Sequence, residues 1–519
     1  MQRMQKLFSR FVVWMGAICL LAPAFVFSQS EQQQAGAVYQ SQSVLRATTR
    51  LVILDVVVTD EKGQPVTDLK QDDFTVLEDG KPQQLIDFSF QSPKTVPQAA
   101  PRLAPNVVSN FPQYTSASSL NVILLDAINT DFSNHAYAQD MLIKYLDGNP
   151  AIQPTAVYAL DGRLKLLHDF TTDTTVLREV LAHFKPAGPT HIADVYAAAS
   201  PFSQRGSFQT SDQGRSALIN AMIFLARSLS GYPGRKNLIW LSQGFPLSLF
   251  PDTTMGEGAF LVVDFSPLME RIADELMNAQ VALYPIDAAG VSIGDRFAAR
   301  AAMISMAERT GGKTFYNRND IDVGVRTSID DGAVYYNMQY YPQNKNWDSR
   351  FRKIEVKVNR PHVQLRYRQG YFAIGPNATV SQGTGRDLGT ALMPDAPAST
   401  GVLFQAAVAP PADKSANKFV VNFGIDPHTV AFRRNAEGLQ HAELACVVWA
   451  FHGNNPPIEF EGHSVNANLQ PDVYERLMKG YIPCQNPIEL KRGDYTLRLG
   501  VIDRQTNLIG TATLKLNVP

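Results

Sequence analysis

The sequence predicts a multidomain α/β plus β protein, in which a doubly wound, mostly parallel sheet is flanked by antiparallel domains that resemble β-sandwiches. Its 519 residues exceed what a single hydrophobic core normally fills, so several domains are expected. In the middle of the chain, unbroken apolar runs alternate with amphipathic stripes of helical spacing, which is typical of strand–helix–strand units. On both sides of that segment, apolar and polar residues alternate over short stretches separated by turn signals, as in antiparallel sheets.

The central segment, residues 119–333, predicts the parallel sheet. It contains the short apolar runs NVILLD, AVYAL, LIWL, VALYPID and KTFY, as expected of strands that are buried on both faces. Between these runs, apolar residues recur at helical spacing. The predicted helices cover about 176–184, 218–229, 266–279, 296–310 and 320–329. Strands that alternate with helices in this way favour a doubly wound sheet, whose ligands usually bind at the carboxyl ends of the strands.

Antiparallel structure is predicted on both sides of the central segment. Residues 45–92 carry β-branched runs interrupted by the turn signals DEKGQP and EDGK, and they predict a small N-terminal β module. Residues 334–375 contain three alternating runs, which we expect to pair with that module. Residues 401–519 are strand-like throughout and predict a C-terminal β-sandwich. Two segments rich in proline or small residues, 93–118 and 376–400, are predicted to be linkers.

The N-terminus predicts export. Three basic residues precede an apolar stretch that ends near Phe27, and small residues follow, which is the plan of a secretory signal peptide over residues 1–28. An uncleaved membrane anchor is the alternative, because the apolar stretch is long for a signal peptide. Residues 29–44 are polar and rich in Gln, and they predict a disordered leader. No later stretch of the sequence predicts a membrane span, so the mature chain is expected in the periplasm, on the outer cell surface or outside the cell.

Charge and cysteine content limit which partners and which disulfides the sequence predicts. Lys and Arg (47) nearly balance Asp and Glu (48), and the sequence has no basic stripe with interleaved aromatic residues, so a nucleic-acid partner is not predicted. Of the three cysteines, Cys446 and Cys484 lie beyond the predicted signal peptide. In an oxidising compartment these two can form a disulfide, and two buried free thiols are the alternative.

Several stretches resemble those of a known family. The central segment is preceded by VVVTDEKGQPVTDLKQDDFTVLEDGKPQQLIDF, contains LLDAINT, GRKNLIWLSQG and YPIDAAG, and is followed by RKIEVKVNRPHVQLRYRQGYF. In these stretches the chain resembles exported von Willebrand factor type A-related proteins, a family best known from acidobacteria. The resemblance covers nearly the whole chain after the predicted signal peptide. It implies that the central segment is a von Willebrand factor A-like, Rossmann-like domain.

The resemblance also implies a metal site. Domains of this type commonly hold a divalent cation with an Asp-x-Ser-x-Ser loop, a Thr from a second loop and an Asp from a third, and Mg2+ prefers such oxygen ligands. Asp126 and Thr130 match the first and last positions of the first loop, and Thr190 is the best match to the second-loop Thr. Ile128 stands at the first Ser position and cannot coordinate. Gln243 replaces the third-loop acid, so Mg2+ binding is predicted to be weak or absent.

Asp126 has a second interpretation, which does not need the resemblance. It ends a buried strand, where an Asp commonly caps the next helix or accepts hydrogen bonds from loop amides. If a cation is bound, Asn129, Asp131 or Ser133 can supply further oxygen ligands from the same loop. The sequence therefore predicts either a degenerate cation site at the sheet edge or a structural role for Asp126.

Three functions are compatible with these patterns. The first is a non-enzymatic binding or adhesion-type protein, which recognises a protein or cell-envelope ligand through the upper loops of the central domain. The alternative is an envelope assembly or scaffold protein that uses its β-domains and has no role for a metal. A secreted hydrolase is the least favoured, because the sequence has no His-Glu-x-x-His helix, no Gly-rich phosphate loop and no Gly-x-Ser-x-Gly elbow.

Overall fold

The structure, a computed structural model, describes most of the chain after residue 50. The described residues are 51–93, 103–114, 119–149, 152–186, 217–244, 266–291, 297–373, 385–410, 417–453 and 457–519. The predicted signal peptide and leader lie outside these residues. The segment Ser43–Pro519 belongs to one unit by its internal contacts, so the domains within it are described together.

The strands are numbered along the chain. They are β1 (Val52–Asp60), β2 (Phe74–Glu78), β3 (Lys81–Pro82), β4 (Leu85–Gln91), β5 (Val107–Ser109), β6 (Ser119–Asp126), β7 (Thr155–Asp161), β8 (Arg163–Thr171), β9 (Arg235–Ser242), β10 (Val281–Asp287), β11 (Tyr335–Tyr340), β12 (Phe351–Val358), β13 (Val363–Arg366), β14 (Gly370–Phe372), β15 (Phe404–Ala409), β16 (Lys418–Ile425), β17 (Arg433–Arg434), β18 (Gln440–Phe451), β19 (Glu459–Leu469), β20 (Ile482–Glu489), β21 (Gly493–Asp503) and β22 (Leu508–Val518).

The helices are numbered in the same way. They are α1 (Phe132–Asp147), α2 (Thr174–His183), α3 (217–228), α4 (Ser266–Asn278), α5 (Phe297–Thr310), α6 (Ile321–Ala333), α7 (Gly385–Ala391) and α8 (Pro471–Leu477). Single 3-10 turns occupy Gln71–Asp73 and Pro427–Thr429.

The central sheet has the strand order β10-β9-β6-β7-β8. The first four of these strands run parallel, and β8 returns antiparallel to β7 at the edge. Arg163 follows a tight turn at Gly162, whose positive φ of 70° suits glycine. The predicted strand KTFY contributes one parallel bridge, between Phe315 and Ile286, in place of a full strand. The prediction of a parallel-rich sheet accompanied by antiparallel sheets is confirmed.

Consecutive side chains of β6 point into two different hydrophobic cores, one on each face of the central sheet. This explains why the apolar run of β6 is unbroken. Val122 and Leu124 pack against α3, α4 and α5 on one face of the sheet. Ile123 and Leu125 pack against α1, α2 and α6 on the opposite face. Because both faces are covered, side chains that alternate in direction along the strand are all buried.

The N-terminal module and the strands that follow the central segment form one sandwich. One sheet has the order β13-β1-β11-β4 and the other β14-β12-β2-β3, so each sheet contains strands from both parts of the chain. The two sheets enclose a common core, in which Leu54, Tyr336 and Ile354 are buried. This core also contains an ion pair between Glu78 and Arg352, at 3.2 Å, with both side chains 2% exposed.

The C-terminal sandwich packs the sheet β20-β16-β15-β5 against the sheet β17-β18-β21-β22, and β19 pairs with β18 on the side opposite β21. Two predicted linkers take part in folded structure. Within 93–118, β5 pairs with β15. Within 376–400, α7 forms and Leu392 is fully buried. The linker interpretation is therefore wrong for β5 and for the residues around α7, because they pair or pack with the C-terminal sandwich.

Buried polar contacts join the central domain to both sandwiches. The Arg368 guanidinium donates to the Met277 carbonyl of α4 and the Ile53 carbonyl of β1, at 3.2 and 2.6 Å. On the other side, the Thr400 hydroxyl donates to the Ser228 carbonyl of α3 at 2.6 Å. These contacts hold the central sheet near the amino ends of its parallel strands, and they do not involve the edge formed by the carboxyl ends. In the part of the chain that the structure describes, no helix has both the length and the apolar character to cross a membrane.

Candidate functional site

The carboxyl ends of the parallel strands bring three polar side chains to one edge, here called the upper edge. Asp126, Ser242 and Asp287 are the last residues of β6, β9 and β10. The register of the sheet aligns Asp287 with Ser242 and places Asp126 on the neighbouring strand. The loops that follow these strands, together with the start of α1, form the described part of the upper edge.

Asp126 is fully buried, and hydrogen-bond donors from three residues surround its carboxylate. The backbone N–H and the side-chain amide of Asn129 donate to Oδ1 at 3.0 and 3.1 Å, and the same amide reaches Oδ2 at 2.9 Å. Trp240 Nε1 donates to Oδ2 at 3.2 Å, and the Ser242 hydroxyl donates to Oδ2 at 2.9 Å. The carboxylate therefore links its own loop to the neighbouring strand β9.

Burial and hydrogen bonding act on this carboxyl in opposite directions. Removal from water raises the pKa of Asp126, whereas the donors from Asn129, Ser242 and Trp240 lower it, and the net pKa lies above the usual value. The donors are thus needed to hold a charge in a site that water does not reach.

A second set of contacts joins the same two loops through Gln243. Its backbone N–H donates to the Thr130 hydroxyl at 3.3 Å, and its side-chain Nε2 donates to Asp131 Oδ2 at 2.7 Å. The Gln243 side-chain carbonyl accepts from the Asp131 backbone N–H. An amide can donate and accept at once, which a carboxylate cannot do, so Gln243 joins the loops without a cation.

Two more residues belong to the implied cation site, Ile128 and Thr190. Ile128 is buried and packs in the core beneath the loop, which accounts for an apolar residue at a Ser position. Thr190 lies outside the described residues. The helix after Asp126 begins at Phe132 with Asp131 at its N-cap, so Asp126 bonds to a loop amide and does not cap that helix.

The described side chains do not fit a bound Mg2+. A cation needs free oxygen lone pairs, whereas the Asp126 oxygens accept five hydrogen bonds whose N–H and O–H groups point at the same space. Gln243 supplies no charge to offset dehydration of the ion. Among the described residues, no group of three or more His, Cys, Asp or Glu side chains is arranged to hold a metal.

Asp287, at the neighbouring strand end, is also engaged within the fold. Its Oδ1 accepts from the Ala289 backbone N–H at 3.0 Å, and its Oδ2 lies 3.2 Å from Nε of Arg300. The side chain of Asp287 is inaccessible to solvent. Its contacts hold the β10 loop against α5.

Exposed apolar side chains also lie at the upper edge. Phe132 at the start of α1 is 69% exposed, and Val291 in the loop after β10 is 65% exposed. Tyr137 connects α1 to that loop, because its hydroxyl donates to the Asn319 carbonyl at 2.7 Å while the Val291 N–H donates to the Asn319 side chain at 3.0 Å. We call Phe132, Tyr137 and Val291 the upper-edge apolar surface. The sequence analysis missed it, because these three residues are separated along the chain and follow no periodic pattern.

Comparisons with known proteins give weak structural similarity. No family model matches the chain, and no curated protein matches it by sequence. Among solved structures, a von Willebrand factor type A protein from Catenulispora acidiphila is 10% identical, with a TM-score of 0.25, over 84% of this chain and 74% of that one.

Two further solved structures have similar scores. Three N-terminal domains of the type V pili tip protein Mfa5 from Porphyromonas gingivalis are 10% identical, with a TM-score of 0.26, over 84% of this chain and 99% of that one. The conserved hypothetical protein BatB from Bacteroides thetaiotaomicron is 11% identical, with a TM-score of 0.26, over 42% and 99%. Similarity this low says nothing about ligands or activity, so the architecture of this chain rests on its own strand order.

Proposed function

We propose that the chain is an exported, non-enzymatic binding protein, which recognises a protein or cell-envelope ligand through the upper edge of a von Willebrand factor A-like domain. One observation supports this most directly. The polar side chains at the upper edge bond to one another, whereas the apolar side chains of Phe132 and Val291 there are largely exposed. Exposed aromatic and aliphatic groups next to a polar rim suit contact with another macromolecule.

The internal role of both strand-end carboxylates argues against catalysis. Asp126 is surrounded by donors, and Asp287 pairs with Arg300, so each already stabilises the fold. A general base must be able to reach a substrate proton, and neither carboxylate is exposed. We therefore propose no hydrolytic activity for the upper edge. From the near balance of Lys and Arg (47) with Asp and Glu (48), we also propose no nucleic-acid partner.

Ligand binding is proposed to be independent of Mg2+. In domains of the family that the chain resembles, a cation joins these loops. In this chain, the hydrogen bonds from Gln243 to Thr130 and Asp131 join them instead. Export is proposed from the signal-peptide pattern of residues 1–28, with the periplasm, outer surface or medium as the destination.

A scaffold role for the β-domains is the second candidate. Ile458 and Phe460 lie before and within β19, and each is 50% exposed. The exposed apolar side chains of this strand, which is paired with β18, suit contact with an envelope partner.

A pull-down with matched surface variants separates the two candidates. Phe132→Asp changes the upper-edge apolar surface, and Phe460→Asp makes the same chemical change on β19. Both side chains are exposed, so neither variant should disturb folding. Envelope extract is captured on wild type and on both variants, each in Mg2+ and in EDTA.

We expect Phe132→Asp to weaken capture of the wild-type partner by roughly tenfold or more, as for loss of a central contact residue. Phe460→Asp and EDTA should leave capture unchanged. The reverse pattern, with loss only in Phe460→Asp, supports the scaffold role. Loss of capture in EDTA contradicts the proposed independence from Mg2+.

A further inference from the structure

Two cysteines meet across the C-terminal sandwich. Cys446 lies on β18 and Cys484 on β20, which belong to the two opposing sheets. Both side chains are buried in the core between those sheets. The two strands that carry these cysteines contact each other across that core.

The alternation of side chains along β20 turns Cys484 toward the sheet that carries Cys446. Along β20 the inward side chains alternate with exposed ones, and Cys484 and Asn486 both face inward. The Asn486 side-chain amide donates to the Cys446 carbonyl at 2.9 Å. Because residues two apart share one face of a strand, this bond holds Cys484 on the face that Cys446 meets.

We propose that Cys446 and Cys484 form an intramolecular disulfide that joins the two sheets of the C-terminal sandwich. The reaction is thiol–disulfide exchange with a disulfide oxidant. The two protein thiols are oxidised to one S–S bond, and the S–S bond of the oxidant is reduced to two thiols, which take up the two protons. The proposal does not depend on what the upper edge binds.

Burial determines when this disulfide forms. Cys446 is inaccessible to solvent and Cys484 is 4% exposed, so an oxidant cannot reach the sulfur atoms of the folded domain. The contact with Cys484 and burial also raise the pKa of the Cys446 thiol, so the reactive thiolate is scarce at neutral pH. Oxidation therefore takes place while the sheets assemble, and the reduced folded protein reacts slowly.

Refolding under two redox conditions tests the proposal. The full chain carrying Cys19→Ser, which leaves only these two thiols, is denatured, reduced and refolded with oxidised glutathione or with dithiothreitol. Peptide mapping without reduction should find the peptides of Cys446 and Cys484 linked after the first treatment only. The disulfide closes a loop of about 40 residues, which lowers the unfolding equilibrium constant by about 700-fold and raises Tm.

The matched control is the same chain with Cys446→Ala and Cys484→Ala, whose Tm should be equal in both buffers. If this control fails to fold, peptide mapping of the two-cysteine chain decides alone. Either of two results in natively folded protein from the oxidising buffer overturns the proposal. Both cysteines react with an alkylating reagent, or each is bound to glutathione.

Discussion

Asp126→Ala is the substitution that most directly tests the role assigned to this carboxylate. It removes the shared acceptor of four buried donors: the Asn129 N–H, the Asn129 amide, Trp240 Nε1 and the Ser242 hydroxyl. Ser242 keeps an alternative acceptor, the Gly244 carbonyl at 3.3 Å. The Asn129 backbone N–H and side-chain amide then lose their acceptor in a site that water does not reach.

The expected cost follows from these two donors. Each buried unpaired donor costs about 1–3 kcal/mol, so the sum is roughly 2–6 kcal/mol. Loss of a buried charge offsets part of this, because burial already raises the pKa of Asp126. We expect the free energy of unfolding to fall by about 3 kcal/mol.

Urea denaturation followed by circular dichroism measures the change, with Asp173→Ala as the control. Asp173 caps α2 at the surface, where its side chain accepts from the Thr175 N–H at 2.9 Å, so its loss should cost about 1 kcal/mol. If Asp126→Ala costs no more than Asp173→Ala, the assignment of Asp126 as a buried connection between loops is refuted.

Two further predictions concern charged groups elsewhere. Arg352→Ala leaves the buried Glu78 carboxylate without its cation, and should destabilise the N-terminal sandwich by about 3–5 kcal/mol in urea denaturation; a loss below about 1 kcal/mol contradicts this. Burial raises the pKa of Asp274 to about 6, against the opposing effect of Arg309. Because the folded state then binds this proton more tightly than the unfolded state, stability is full below about pH 4 and declines as pH rises through about 6. Asp274→Asn should therefore gain stability relative to wild type between pH 4 and 7, by about 1 kcal/mol after allowance for solvent screening, and a pH-independent difference in Tm contradicts it.

The fold could be predicted from the sequence wherever a residue pattern is compatible with only one kind of structural element. The apolar run that ends at Asp126 predicts a strand covered on both faces, and the two cores around β6 show that cover. The sequence analysis missed the edge strand β8, because its face is only partly covered and Lys165 and His168 interrupt the apolar run. The Asp-Gly pair at 161–162 is a hairpin signal that predicts it. The linker prediction fails over residues 385–400 because proline and small residues also occur in packed connections.

The site could be predicted in position but not in its hydrogen bonds. Parallel topology places Asp126 and Ser242 on one edge, and a sequence pattern suffices for that. The bonds from Gln243 to Asp131 join residues 112 positions apart, and only the folded chain shows that both loops meet there. The upper-edge apolar surface escapes sequence analysis for a similar reason, since a single exposed Phe has no periodicity.

Calorimetric titration of Mg2+ into the purified full chain tests the central claim most directly. The donors around Asp126 and the amide of Gln243 fill the place of a cation, so we expect no saturable binding at or below about 1 mM Mg2+. Saturable binding in that range, abolished by Asp126→Ala in a variant that remains folded, contradicts the account.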